Sequence, residues 1–117
     1  MRLSLDSRTD RHLGIVSATG EIDLATVPAL REAISEHIVA GRTNLLVDLR
    51  AVTFLDSTGL GVLVGAAKKA HGGGGCLRLV CDNDRVLRLL RITGLDRAIA
   101  VHPNVASAVA AWPVAAI

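Results

Sequence analysis

Residues 43–50, TNLLVDLR, constrain the fold more than any other stretch of this chain. The run has the length of a strand and is almost wholly apolar, without the alternation of a strand that has one wet face. Such strands are buried on both faces, which means a parallel sheet covered by helices. Parallel neighbours are joined by crossovers of a dozen or more residues, usually helical, so helical patterns are expected on either side.

They are present. Upstream, ATVPALREAISEHIVAG places Val27, Leu30, Ile34 and Ile38 on one face and Arg31, Glu32, Ser35 and Glu36 on the other. Thr26 suits the N-cap, Pro28 is tolerated in the first turn and Gly41 marks the stop. Downstream, a helical pattern runs from Ser57, with Leu60, Leu63, Val64 and Ala67 sharing a face, until HGGGG (71–75) ends it. CLRLV (76–80) is the next strand, and DNDRVLRLLRITGL is a helix capped by Asp82 or Asn83, with Val86, Leu89 and Leu90 inward and Gly94 as its end. AIAVH (98–102) is a last strand, and NVASAVAAW a short helix ended by Pro113. Before all of these, RLSLDS alternates and meets the turn-like RTDRH, and LGIVSATG, closed by Gly20, completes a hairpin. GEID (20–23) and AVTF (51–54) read as connecting segments. The predicted order is ββαβαβαβα, an α/β domain with a mixed, largely parallel sheet. No repeat or linker interrupts it, so residues 1–117 are expected to form one domain.

Composition narrows the function. Phe54 and Trp112 are the only aromatic residues, so stacking surfaces for bases are lacking, which argues against single-stranded nucleic acid as a ligand. The net charge of +2 comes without a dense basic block, which argues against polyanions generally. The opening MRLSLDSRTD has no apolar core of the kind a secretory leader carries, and the longest apolar stretch, near Gly59 to Ala67, falls far short of the ~20 residues that span a bilayer. Cys76 and Cys81 are five apart on a strand and point to opposite faces, so they cannot bond to each other. Two cysteines with no histidine at ligand spacing make no zinc site. A reduced, cytoplasmic protein with neither metal nor membrane is expected.

The chemistry-bearing stretch is FLDSTGLGVLVGAAKKA (54–70), in which Asp56, Ser57 and Thr58 lie between an apolar run and a helix. A carboxylate or hydroxyl there is ordinarily an N-cap, yet one cap uses one residue and here there are three. An aspartic-protease turn reads Asp-Ser/Thr-Gly; this stretch has one residue too many. The nucleophile elbow Gly-x-Ser-x-Gly is absent because Leu55 stands at the first glycine. His12, His37, His71 and His102 have no evident acidic partner, and no Walker loop is present. A phospho-acceptor receiver domain shares the length and alternation. It needs an acidic pair at the first strand and a late lysine, whereas the only lysines, Lys68 and Lys69, follow on the same helix.

Taken in order, GEID, then LLVDLRAVTFLDSTGLGVLVGAAKKA, then LRLVCDNDRVLRLLRITGLDRAIAVH closely resemble the bacterial anti-sigma-factor antagonists, small single STAS-domain proteins of partner-switching systems. DSTGLGVLVG is the most specific segment, with RITGL in support, and the resemblance spans nearly the whole chain. It implies a binding module and kinase substrate, not an enzyme, with no cofactor. The unphosphorylated antagonist binds an anti-sigma factor, itself a serine kinase of the GHKL type, and frees sigma. Phosphorylation of the serine after the aspartate, here Ser57, ends the association, and a serine phosphatase resets it. Asp23, Asp56, Thr58, Gly59, Leu60 and Gly61 are the further expected contact residues. For Asp23 a turn role, and for Gly59, Gly61 and Gly65 plain packing, stand equally. A receiver-like signalling domain and a STAS module for a small ligand remain the alternatives. Arg85, Arg88 and Arg91 recur every three residues on the third helix, either as a solvated face or as a patch for an acidic partner.

Overall fold

The computed structural model describes residues 2–112. Its elements are β1 (Leu3–Asp10), β2 (Leu13–Ile22), α1 (Val27–Val39), β3 (Asn44–Leu55), α2 (Ser57–Gly72), β4 (Cys76–Val80), α3 (Asp84–Thr93), α4 (Leu95–Ala98), β5 (Val101–His102) and α5 (Val105–Ala111). One sheet runs in the order β1-β2-β3-β4-β5. The β1/β2 hairpin is antiparallel and every other pairing is parallel.

β3 lies at the centre, and Leu45 to Leu49 are buried without a break, as a strand covered on both sides must be. The pleat divides its side chains. Leu45, Val47 and Leu49 join Val16, Ala18, Ile22, Leu77 and Leu79 in the main core under α1, α2 and α3. Leu46 faces the other way, joining Leu13, Ile15 and Val80 in a smaller core closed by Ala108 and Trp112. The Trp112 indole N–H donates to Asn44 Oδ1 at 3.2 Å, and the Arg78 guanidinium lies 5.0 Å from the centre of its ring, which fastens the end of α5 to the sheet. Cys76 packs on the small core and Cys81 in the main one, so the two thiols do lie on opposite faces. The helix predicted to stop at Pro113 ends at Ala111, and Pro113 lies outside the described residues.

Several boundaries differ from expectation, and β2 explains most of them. Gly20 does not close this strand. It sits inside it at φ 110°, at a register shift against β3, and a Cβ there would come within 2.1 Å of the Arg2 carbonyl oxygen. A glycine with positive φ bends a strand at a bulge without ending it. Glu21 and Ile22 therefore continue the ladder, opposite Phe54 and Leu55, and AVTF is strand rather than connector. β1 likewise runs on through Arg8, Thr9 and Asp10, so the hairpin turn is Arg11–His12 alone, with Arg11 at φ 55°. The short α4 was not foreseen, and β5 keeps only two residues of AIAVH. The buried face of α2 is centred on Gly59, Val62, Leu63, Ala66 and Ala70. Leu60, Val64 and Ala67 only flank it. Leu63 is fully buried, which contributes about 2–3 kcal/mol.

Of three expected caps, one was settled, one is as expected and one was reassigned. Asn83, not Asp82, caps α3 by accepting from the Arg85 N–H at 2.9 Å, while its amide donates to the Val52 carbonyl at 2.8 Å and ties that helix to β3. Gly94 ends α3 in the left-handed region as expected. Thr26 precedes α1, but its hydroxyl donates to the Glu21 carbonyl at 2.8 Å instead of capping the helix.

Candidate functional site: the loops at the start of the second helix

The extended backbone of Asp56 (φ −103°, ψ −175°) makes the break between β3 and α2. Its N–H donates to the Ile22 carbonyl at 3.2 Å and its carbonyl accepts from Leu60 N–H at 3.1 Å, so it belongs to both the sheet and the helix. One carboxylate oxygen, Oδ1, accepts from the N–H groups of Thr58 (3.0 Å) and Gly59 (3.1 Å) and from the Thr58 hydroxyl. These satisfy donors that every helix N-terminus leaves over. The Thr58 hydroxyl foremost, then the N–H groups of Gly59, Thr58 and Leu24, hold the Asp56 carboxyl below the usual carboxylate range, so it is ionised at neutral pH.

This arrangement separates the two neighbouring hydroxyls. Thr58 is half-buried and its hydroxyl is engaged with Asp56. Ser57, the first residue of α2, is exposed, and its hydroxyl has no hydrogen-bond partner among the described residues.

Asp23 is a turn residue, and the structure gives its carboxylate definite work. Its Oδ1 accepts from Ala25 N–H at 3.0 Å and Thr26 N–H at 3.1 Å, and the Thr26 hydroxyl accepts from Asp23 N–H at 2.9 Å. Arg2 forms an ion pair with Asp23 Oδ2. Between these groups stands Leu24, 72% exposed, whose N–H is the last of the groups that lower the Asp56 pKa. The Asp56 N–H on the Ile22 carbonyl joins the Ser57 loop to the end of β2, directly before the Asp23 loop.

The glycines of α2 divide into two kinds. A Cβ on Gly59 would meet Leu55 Cδ1 at 2.4 Å and Ile22 Cγ2 at 2.7 Å, so this glycine is required by packing inside the chain. Gly61 and Gly65 have open space where a Cβ would be. They border a groove of about 310 Å³ between α1 and α2, with Thr58 at one end and Arg31, Ser35 and Lys69 on its sides. Of the residues singled out from sequence, Asp23, Asp56, Ser57 and Thr58 come together, and Gly61 continues the exposed face. Gly59 is turned into the core and Leu60 is half-buried at its edge.

Two apolar residues here escaped the sequence reading. Leu24 and Phe54 (47% exposed) stand open beside the two loops. The available signal was a large apolar residue directly next to turn residues.

The histidines and the remaining charges lie elsewhere. His37 is buried, with Arg42 Nε donating to its Nδ1 at 2.9 Å and the Ser7 hydroxyl 2.8 Å from its Nε2. Burial, then Arg42, pushes its pKa down. His102 lies 3.2 Å from an Arg78 nitrogen, and burial lowers its pKa too. Asp48, nearly buried on β3, is held by the guanidinium and N–H of Arg50. Among the described residues no three His, Cys, Asp or Glu side chains gather as metal ligands, and no helix is long and apolar enough to cross a membrane.

This fold and these loops have clear counterparts. The STAS domain family matches residues 4–108. An anti-sigma-B factor antagonist of Listeria monocytogenes is 39% identical over 85% of this chain and 86% of its own, and one of Staphylococcus aureus 36% identical over 81% and 88%. The crystal structure of an anti-sigma factor antagonist from Mycobacterium paratuberculosis superposes with a TM-score of 0.86 at 31% identity, covering 93% of this chain and 92% of that one. With the matched region reaching from β1 into α5, the chain belongs to the STAS-domain family of anti-sigma-factor antagonists.

Proposed function

We propose that this protein is a partner-switching antagonist: unmodified, it binds an anti-sigma factor and releases a sigma factor, and phosphorylation of Ser57 turns the binding off. The observation that carries the reading is the contrast between the two hydroxyls. Ser57 is exposed at the first position of α2, while Thr58 beside it is committed to the Asp56 cap. A kinase approaching this end of the sheet meets one free acceptor. The partner is a GHKL-type serine kinase that both holds sigma and modifies Ser57, and a serine phosphatase restores the unmodified form. The chain itself acts as a cytoplasmic binding module and catalyses nothing.

The electrostatics favour such a switch. An uncharged serine can lie against a partner at little desolvation cost. A phosphate of about −1.5 to −2 charge is set beside ionised Asp56 and must lose its water if the surface is covered. An unpaired charge in an interface costs roughly 2–4 kcal/mol, thirtyfold to a thousandfold in affinity.

The test uses the purified protein, ATP and each GHKL-type kinase of the source genome, with the phosphate mapped by mass spectrometry and binding followed by calorimetry against the ADP-loaded kinase. Phosphate on Ser57, loss of labelling in Ser57→Ala with binding kept, and weakened binding in Ser57→Glu are expected. Phosphate on Thr58, or Ser57→Ala binding as weakly as Ser57→Glu, overturns the assignment.

A further inference from the structure

A second surface starts three residues before Ser57. Phe54, at the end of β3, forms one wall of an apolar groove of about 260 Å³ that continues along α3 past Leu89 to Ile92. Arg85, Arg88, Leu89 and Ile92 fall at i, i+3, i+4 and i+7, so they form one stripe along α3. The fully buried residues of that helix are Val86 and Leu90; Leu89, expected inward, is only partly buried and packs against the core from the edge of the groove. Ile92 is left 75% exposed and Phe54 47% exposed, two of the large apolar side chains that burial within the chain does not account for.

The charged residues that line this groove are of one sign. Arg85 and Arg88 line it, and no acidic residue does. Among the described residues the ion pairs involve Arg2, Arg8 and Arg50, so neither of these guanidinium groups has a carboxylate within 4 Å. The groove is also held in fixed relation to the Ser57 loop. Asn83, which caps α3, donates to the Val52 carbonyl two residues before Phe54. From Phe54 to Ser57 the chain can span only about 10 Å. An apolar trough with a cationic rim matches an amphipathic helix whose polar edge is acidic, laid in by its apolar face.

We propose that the α3 groove docks an acidic amphipathic helix of the same kinase partner that reads Ser57, so that the interface extends from the switch serine across Phe54 onto Arg85, Arg88 and Ile92. This rests on the function proposed above. The Ser57 loop then carries the regulated part of the contact and the α3 groove a part that phosphorylation does not touch.

The experiment takes the kinase that labels Ser57 and measures its affinity for wild type, Ile92→Asp and Arg88→Glu, together with KM and kcat for phosphorylation. Both positions are exposed, and matching circular dichroism and melting curves will confirm that each variant folds. At least tenfold weaker binding in each variant is expected, with KM raised and kcat kept, and with a flatter salt dependence for Arg88→Glu. A photo-crosslinker at position 92 is expected to join to a helical, net acidic segment of the kinase. Binding within twofold of wild type in both variants overturns the groove while leaving the switch intact. A crosslink to a neutral or basic segment overturns it as well, as does a wild-type homodimer in sedimentation that Ile92→Asp dissolves. If wild type binds and is labelled by no kinase, the functional reading itself fails, a result distinct from all of these.

Discussion

Gly59 and Gly61 lie two residues apart on the same helix, and replacing each by alanine should move stability in opposite directions. In an interior helical position Gly→Ala gains about 0.8–1 kcal/mol from chain entropy alone. At Gly61 nothing lies within 4 Å of the new methyl group, so that gain is realised in full. At Gly59 the methyl would sit 2.4 Å from Leu55 Cδ1 and 2.7 Å from Ile22 Cγ2. Both neighbours are buried, Ile22 completely, so neither can swing clear into solvent. Overpacking of this kind costs about 1–3 kcal/mol, which cancels the helix gain and exceeds it by up to about 2 kcal/mol. The two variants should thus differ by about 1–3 kcal/mol, some 4 °C in Tm for each kcal/mol at this chain length. Urea denaturation followed by circular dichroism measures this as a shift in midpoint with unchanged slope. If Gly61→Ala is destabilised as much as Gly59→Ala, the α1/α2 groove is not open and the division of the glycines is wrong. If Gly61→Ala is more stable yet binds the kinase at least fivefold more weakly, Gly61 is kept bare for the partner.

Two further outcomes follow from buried polar groups. Burial, then Arg42, lowers the His37 pKa in the folded chain below the ordinary 6.5, so as pH falls the unfolded chain takes up a proton there before the folded chain does. Stability should therefore fall between pH 7 and 5; His37→Gln should flatten part of that slope, His102→Gln a further part, and an unchanged slope in the double variant would refute the assignment. Asn83→Ala removes a cap and the bond to Val52 and should cost about 2 kcal/mol by urea denaturation. Asn83→Asp keeps the cap and loses only the bond to Val52, so it should cost less; equal losses would mean that the cap contributes nothing.

How far the sequence spoke depended on whether a feature was local. The apolar run Leu45 to Leu49, interrupted only by Asp48, specified a central parallel strand, and the 3.6-residue patterns specified α1 and α3, because each follows from burial along a single element. The ends of β2 and β3 were hidden. Gly20 reads as a terminator, and only the neighbouring Arg2 backbone and the β3 register make it a bulge. Ser57 at a helix start was legible from DSTG, but its difference from Thr58 was not, since it depends on where one hydroxyl points. The same holds for the buried face of α2, which Gly59 can join only because Leu55 and Ile22 leave no room for a side chain. Leu24, Phe54 and Ile92 looked like core residues by type, and only the finished sheet shows that no core reaches them.

In the cycle proposed above, with Ser57 as its switch, the Asp56 cap bears on kinetics as well as geometry. The N–H groups of Thr58 and Gly59 already have an anion of the chain's own. A phosphate added to Ser57 finds that cradle occupied and has no reason to draw the loop inward, so it remains on the outside of an unchanged helix. Nothing in the chain then has to break on modification or re-form on removal. The two forms would interconvert without a conformational delay, and the tempo of switching would be set by kinase, phosphatase and partner concentration alone.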